Sequence, residues 1–121
     1  MFFSIIITTY NYEKYIRESI ESALNQDFSG EYEIIVVDDH STDNTLSILD
    51  DYDSIVRINN KKNLSLEVSV NKGIERANGK YIVRLDADDY LECNFLSEMF
   101  KHIENENTFY YGDYTSVSAD S

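Results

Sequence analysis

The chain has 121 residues, with 23 acidic side chains against 10 basic ones, a formal net charge of −13 and a hydrophobic fraction of 42%. That is room for one domain around one core. So acidic a surface repels nucleic acid and anionic membranes at long range, and it admits a phosphate-bearing ligand only with a cation in between. Cys93 is the one cysteine, which excludes an internal disulfide framework or a CxxC metal site and suits a reducing compartment. Met1-Phe2-Phe3 opens without a basic segment, and the apolar run after it stops near Ile7. No signal peptide or membrane span is therefore expected, and the expected location is cytoplasmic.

Proline is absent and glycine occurs four times, so the chain has little punctuation. Residues 3–9, FSIIITT, read as a buried β-branched strand. Tyr12, Tyr15, Ile16, Ile20, Ala23 and Leu24 then recur at helical spacing. Residues 33–37, EIIVV, predict a second strand, and Ser41 or Thr42 is placed to cap a helix carrying Leu46, Leu49 and Tyr52. Ile55 to Ile58 predict a weaker third strand. Leu66, Val70, Ile74 and Ala77 predict a helical stripe closed near Gly79. Residues 81–85 predict a fourth strand, Phe95, Leu96, Met99, Phe100 and Ile103 a fourth helix, and residues 109–115, FYYGDYT, a last strand.

This alternation predicts a Rossmann-like layered α/β/α domain with a mostly parallel sheet. Ligands of such sheets bind outside the carboxyl ends of the strands. The conspicuous polar residues fall there: Thr8-Thr9-Tyr10-Asn11 after strand one, Asp38-Asp39 after strand two, and Asp86, Asp88 and Asp89 after strand four. Two acidic clusters at neighbouring strand ends repel each other. A hard divalent cation with oxygen ligands, Mg²⁺ or Mn²⁺, relieves that repulsion and completes its shell with substrate phosphates and water. A bare DxD can equally cap the next helix or solvate a loop. Of Asp38 and Asp39, one can cap the helix beginning near Ser41, and the other can accept from a base imide or a ribose hydroxyl. Thr8 and Tyr10 can flank that base, or serve as a strand-terminal threonine and a core-edge aromatic.

With these residues in order, the sequence resembles the family 2 glycosyltransferases, which have the A-type nucleotide-sugar-binding fold. SIIITTYN (4–11) is similar to the family's opening strand and Thr-Tyr-Asn turn, and YEIIVVDDHSTDNT (32–45) to its second strand and acidic turn. VNKGIERANGKYIVRLDADDYL (70–91) is similar to its central helix, strand and DxD signature, and FYYGDY (109–114) to the strand that follows. The resemblance implies that Thr8 and Tyr10 line the nucleoside pocket, that Asp39 holds the base, usually uracil, and that Asp86 holds the ribose. It implies Asp88 as the main ligand of a Mn²⁺ or Mg²⁺ ion on the diphosphate, with Asp89 able to take either acidic role.

The implied activity is metal-dependent transfer of a hexosyl-type sugar from a nucleotide diphosphate, UDP above all, to a glycan or lipid-linked acceptor. Inversion of configuration and a role in cell-surface polysaccharide synthesis are expected, which also allows a peripheral position at the inner face of the membrane. Three departures stand out. Thr8 sits where the family usually has proline, Asn63-Leu64-Ser65 where Asn-x-Gly is common, and Ser69-Val70-Asn71 where Ala-Arg-Asn is common. A basic residue for the nucleotide is thereby missing, with Lys61, Lys62 and Lys72 as candidates to replace it.

The resemblance places the acceptor region and catalytic base beyond Ser121. Residues 1–121 are thus expected to be a single donor-binding domain that lacks most of the acceptor region, with a homo-oligomer or a partner chain supplying it. Two other classes compete: a nucleotide-sugar-binding module without catalysis, and a receiver-like signalling domain read from IIVVDDH (34–40), in which Asp86 poses as the phosphoacceptor.

Overall fold

The computed structural model describes residues 1–106. The strand expected at 109–115, and Asp113 within it, lie outside the described residues. Four strands, β1 (Phe3–Thr9), β2 (Tyr32–Asp38), β3 (Val56–Asn59) and β4 (Tyr81–Asp86), alternate with four helices: α1 (Ile16–Leu24), α2 (Thr45–Leu49), α3 (Leu66–Arg76) and α4 (Phe95–Glu106). The sheet order is β3-β2-β1-β4 and every pairing is parallel. The first four predicted strands match the observed ones within a residue at each end.

The continuous apolar run of β1 has a physical reason. All seven of its residues are buried, because β1 is central and covered on both faces, so no polar alternation is needed. Phe3, Ile5 and Ile7 point to one face, where they pack with Ile34, Val36, Val83 and Leu85 of the neighbouring strands. Ile16, Ile20 and Ala23 of α1 and Phe95, Leu96, Met99 and Ile103 of α4 complete that core. Ile6, Ile35 and Val37 form the second, smaller core on the opposite face, which α3 covers. Each such isoleucine contributes about 1.5–3 kcal/mol by leaving water.

Close approach of α3 depends on one small residue. A Cβ built on Gly73 would lie 2.6 Å from Ile6 Cγ2, so glycine here lets the helix rest on the strand. The helical stripe expected at Leu66, Val70, Ile74 and Ala77 is therefore displaced. The buried residues of α3 are Ser69, Val70 and Gly73, while Leu66 and Ile74 are 53% and 44% exposed. Small residues face the sheet because the backbone comes close, and the larger ones are turned outward.

Two other expectations are corrected. Tyr12 and Tyr15 precede α1 and are exposed, since their helical spacing runs into a turn. Ser41 and Thr42 do not cap α2. Ser41 bonds back to Asp38, and Asp43 Oδ1 accepts from Thr45 N at 2.9 Å and from Thr45 Oγ1 at 2.6 Å, satisfying the first N–H of the helix.

The strand order also decides against the receiver reading. In that doubly wound order the strand with the acidic turn lies next to the strand bearing the phosphoacceptor. Here β1 lies between β2 and β4. No helix among the described residues is long and apolar enough to cross a membrane.

Candidate functional site

The ends of β1, β2 and β4 open into one cleft of about 370 Å³, walled among others by Thr8, Thr9, Tyr10, Asp39, Asn63, Ser69 and Asp86. Four of the six residues singled out from sequence, Thr8, Tyr10, Asp39 and Asp86, thus face one space. The register explains it: Thr8 lies opposite Val37 on one side and Asp86 on the other, and Thr9 lies opposite Asp38. Strand ends in register put their loops at one edge.

Asp88 and Asp89 stand beside the cleft. Asp89 N–H donates to the Asp86 carbonyl at 3.0 Å, closing a tight turn that brings the carboxylates of Asp86, Asp88 and Asp89 together. One oxygen from each lies within 4.8 Å of the others. Asp86 therefore belongs to both the cleft wall and the acidic group, and it joins the two. An all-oxygen, partly solvated set of this kind fits a hard divalent cation such as Mg²⁺ or Mn²⁺ and does not suit a soft one.

The acidic turn is held from below by α1. Ser19 Oγ donates to the Asp86 carbonyl at 3.4 Å, and Ser22 Oγ accepts from Leu91 N at 3.0 Å. Just past the helix, Gln26 Nε2 donates to the Glu92 carbonyl at 2.7 Å while its Oε1 accepts from Leu96 N at 2.9 Å. The polar edge of α1 thus fixes the whole segment between β4 and α4. None of these three residues drew notice in the sequence, because Ser and Gln on a helix usually mean a solvated face.

Asp38 and Asp39 separate cleanly. Asp38 is 1% exposed, and it accepts from Ser41 N at 2.8 Å and Ser41 Oγ at 2.6 Å. It is the local turn former. Asp39 reaches the cleft and accepts from Leu64 N at 2.7 Å and Asn60 Nδ2 at 2.9 Å on Oδ1, and from Ser65 N at 3.1 Å on Oδ2. Burial alone would raise its pKa. The two backbone N–H groups, the Asn60 amide and the nearby His40 outweigh it and hold the carboxyl below its ordinary value. Asp39 therefore also anchors the loop after β3.

That loop carries strain. Ser65 has φ 109° and ψ 162°, a region nearly restricted to glycine, at the position where the resemblance leads one to expect glycine. Asn11 has φ 58°, and its side chain clasps the acidic turn: Oδ1 accepts from Thr42 N at 2.7 Å and from Asp43 N at 3.2 Å. The asparagine of the Thr-Tyr-Asn turn thus ties the β1 end to the β2 end.

Sequence reasoning passed over Thr9 in favour of Thr8. Both line the cleft, yet Thr9 is 2% exposed, and its hydroxyl has no hydrogen-bond partner among the described residues. A buried hydroxyl without a partner costs free energy, so Thr9 joins Thr8 as a candidate for a ligand contact. Of the three lysines considered as replacements for a missing basic residue, Lys72 is bonded to a residue that holds Asp39. Its Nζ donates to Asn60 Oδ1 at 2.9 Å, one residue removed from Asp39.

A crevice at the carboxyl edge of a parallel sheet, walled by a Thr-Tyr turn and two acidic strand ends, lies where open α/β domains bind their ligands. The family model for glycosyl transferase family 2 matches residues 4–121, and the chain belongs to that family. An uncharacterised glycosyltransferase of Haemophilus influenzae is 38% identical over 119 residues, which covers 94% of this chain and 36% of that protein. The poly(ribitol-phosphate) beta-N-acetylglucosaminyltransferase TarS of Staphylococcus aureus is 36% identical over 119 residues, covering 89% of this chain and 20% of TarS. The solved structure of S. aureus TarS residues 1–349 with UDP superposes at a TM-score of 0.83 with 35% identity, over 88% of this chain and 33% of that one. A further structure of the same fragment holds UDP-GlcNAc. The chain thus spans about a third or less of the length of these relatives.

Proposed function

We propose that this chain is the donor-binding part of a glycosyltransferase that takes its sugar from a UDP-linked donor. The observation that carries this is the single cleft in which Thr8, Thr9, Tyr10 and Asp39 meet Asp86 of the acidic group. The likeness to TarS, solved with UDP and with UDP-GlcNAc, supports the choice of nucleotide.

In this reading Tyr10, 44% exposed at the cleft mouth, stacks on the base, while Thr8 and Thr9 line its edge. Asp39, ionised and acceptor-only, receives a donor from the base. Asp86 accepts from the ribose, and Asp88 and Asp89 would hold a Mn²⁺ or Mg²⁺ ion. Such an ion would neutralise the diphosphate as the bond from sugar to phosphate breaks. Transfer to a glycan or lipid-linked hydroxyl, with inversion, in cell-surface polysaccharide synthesis is the activity we assign to the whole protein. No described residue is assigned as the base that deprotonates the acceptor.

Calorimetric titration of UDP with and without Mn²⁺, with GDP and ADP as controls, tests the reading. Metal-dependent UDP binding, weakened about tenfold or more in Asp88→Asn, is expected. Failure of every nucleotide to bind, or equal binding by Asp88→Asn in Mn²⁺, would overturn it.

A further inference from the structure

The wall behind Asp39 is built from a residue outside the motifs singled out from the sequence. Asn60, directly after β3, is 4% exposed, and its backbone N–H and its side-chain amide are both engaged. Its backbone N–H donates to the Asp38 carbonyl at 2.8 Å. Its Nδ2 donates to Asp39 Oδ1 at 2.9 Å and to Ser69 Oγ at 3.0 Å, and its Oδ1 accepts from Lys72 Nζ at 2.9 Å. Ser69 and Lys72 lie three apart on α3, so one helix face supplies both partners.

Chemistry fixes the direction of this series. An ammonium group only donates and an ionised carboxylate only accepts. The amide must therefore turn its oxygen to Lys72 and its nitrogen to Asp39. The positive charge polarises the amide that grips the carboxylate, strengthening that bond in a buried setting. Asparagine suits the place: aspartate would face Asp39 with a second acceptor, and alanine would leave both partners unmatched.

We infer that Asn60 and Lys72 are positioning residues for the cleft, Asn60 carrying the charge of Lys72 to Asp39 and orienting its carboxylate toward the ligand. An ionised carboxylate offers about four acceptor positions, and the protein fills three of them. What remains is room for one donor, on a side chain held rigid and ionised. A base edge with a single N–H, such as the imide of uracil, fits it. A ring nitrogen that is itself an acceptor at that place, as in cytosine, does not. The basic residue missing from the helix motif is replaced in effect, at one remove, by Lys72. This inference rests on the nucleotide reading for its ligand but not for its geometry.

The test uses two readouts in wild type, Lys72→Met and Asn60→Ala. One is the titration midpoint of the Asp39 carboxyl carbon by NMR. The other is UDP-GlcNAc affinity by calorimetry with Mn²⁺, a ligand whose diphosphate diester does not titrate near neutrality. The other titratable groups around Asp39 are Asp38 and His40 on either side of it, Lys61 and Lys62 in the loop that bonds it, and Tyr10, Tyr12 and Asp86 on the cleft walls. None of them is altered in either variant.

Lys72→Met is the informative variant, because half-buried Lys72 can be replaced even if Asn60→Ala fails to fold. The relay predicts that it raises the Asp39 midpoint and weakens UDP-GlcNAc about fivefold, although Lys72 bonds to Asn60 and not to Asp39. An unmoved midpoint overturns the relay, and so does a moved midpoint with unchanged affinity. A moved midpoint in a protein that binds no nucleotide even as wild type upholds the relay and overturns the nucleotide reading.

Discussion

Ser65 shows how much a single residue can hold at this site. Its φ and ψ belong to a region that costs a non-glycine residue of order 1–3 kcal/mol. The conformation is nevertheless kept, because it points the consecutive N–H groups of Leu64 and Ser65 at Asp39. The Ser65 hydroxyl contributes little, accepting from Val68 N at a long 3.4 Å. Ser65→Gly should therefore raise stability by about 1 kcal/mol while leaving both backbone bonds to Asp39 in place. A urea midpoint that falls instead would show that the serine cap outweighs the strain. Gly73 is the opposite case. Alanine is the better helix former by about 1 kcal/mol, but its Cβ would press on Ile6 Cγ2. Gly73→Ala should lower stability by roughly 1–3 kcal/mol through overpacking, read from the same urea curves.

Among the elements, α1 does more than fill the core. Its buried face, Ile16, Ile20 and Ala23, was legible from spacing. Its polar edge, with Gln26 just beyond, holds the segment from Asp86 to Leu96, and that was not legible. Gln26 supports two backbone groups of that segment at once. Gln26→Leu leaves the Leu96 N–H without its partner and the Glu92 carbonyl with only the Phe95 N–H, which should cost about 1–2 kcal/mol. The turn that groups the three carboxylates would loosen with it. Mn²⁺-dependent UDP binding should weaken at a temperature where the variant is still folded by circular dichroism. Unchanged metal dependence would mean that the turn between Asp86 and Asp89 holds its shape without α1.

Over the whole molecule, acid should be the effective denaturant. Glu33, Asp39 and Asp43 are each subject to burial that would raise their pKa. Hydrogen bonds outweigh it in each case: from Ser4 and Asn78 for Glu33, from the loop after β3 for Asp39, and from Thr45 and Glu13 N–H for Asp43. All three end below their ordinary values. A carboxylate whose folded pKa is depressed adds stability that is fully present above its unfolded pKa and is lost as pH falls through the folded one. Stability should accordingly hold from pH 7 to about pH 5 and decline below about pH 4. Urea midpoints across that range check it, and Glu33→Gln should flatten part of the decline. Glu33 takes the Ser4 hydroxyl at 2.6 Å and the Asn78 N–H at 2.6 Å, so it ties β1, β2 and the α3–β4 turn together at the sheet edge opposite the cleft.

The sequence by itself determined the elements and the edge of the sheet where the site lies. Runs such as FSIIITT and EIIVV, short and rich in β-branched residues, read as strands buried on both faces, since a solvent face would demand alternating polarity. Polar residues at the ends of such strands must gather at one edge. Thr8, Tyr10, the pair Asp38-Asp39 and Asp86 were found on that basis, the resemblance chose Asp39 from the pair, and the cleft brings Thr8, Tyr10, Asp39 and Asp86 together. What the tertiary structure decided were the parts of near neighbours: Asp38 as the former of the turn through Ser41, Thr9 joining Thr8, Asp43 over Ser41 as the support of α2, and Lys72 as the lysine bonded to Asn60. Periodicity cannot assign those parts. A one-residue step along a turn changes which way a side chain points, and the partners that settle it, such as Asn60 for Asp39 or Asn11 for Thr42, come from other strands twenty or more residues away. The outward Leu66 and Ile74 have the same cause, because Gly73 against Ile6, not the spacing of large apolar residues, sets the face that α3 turns to the sheet.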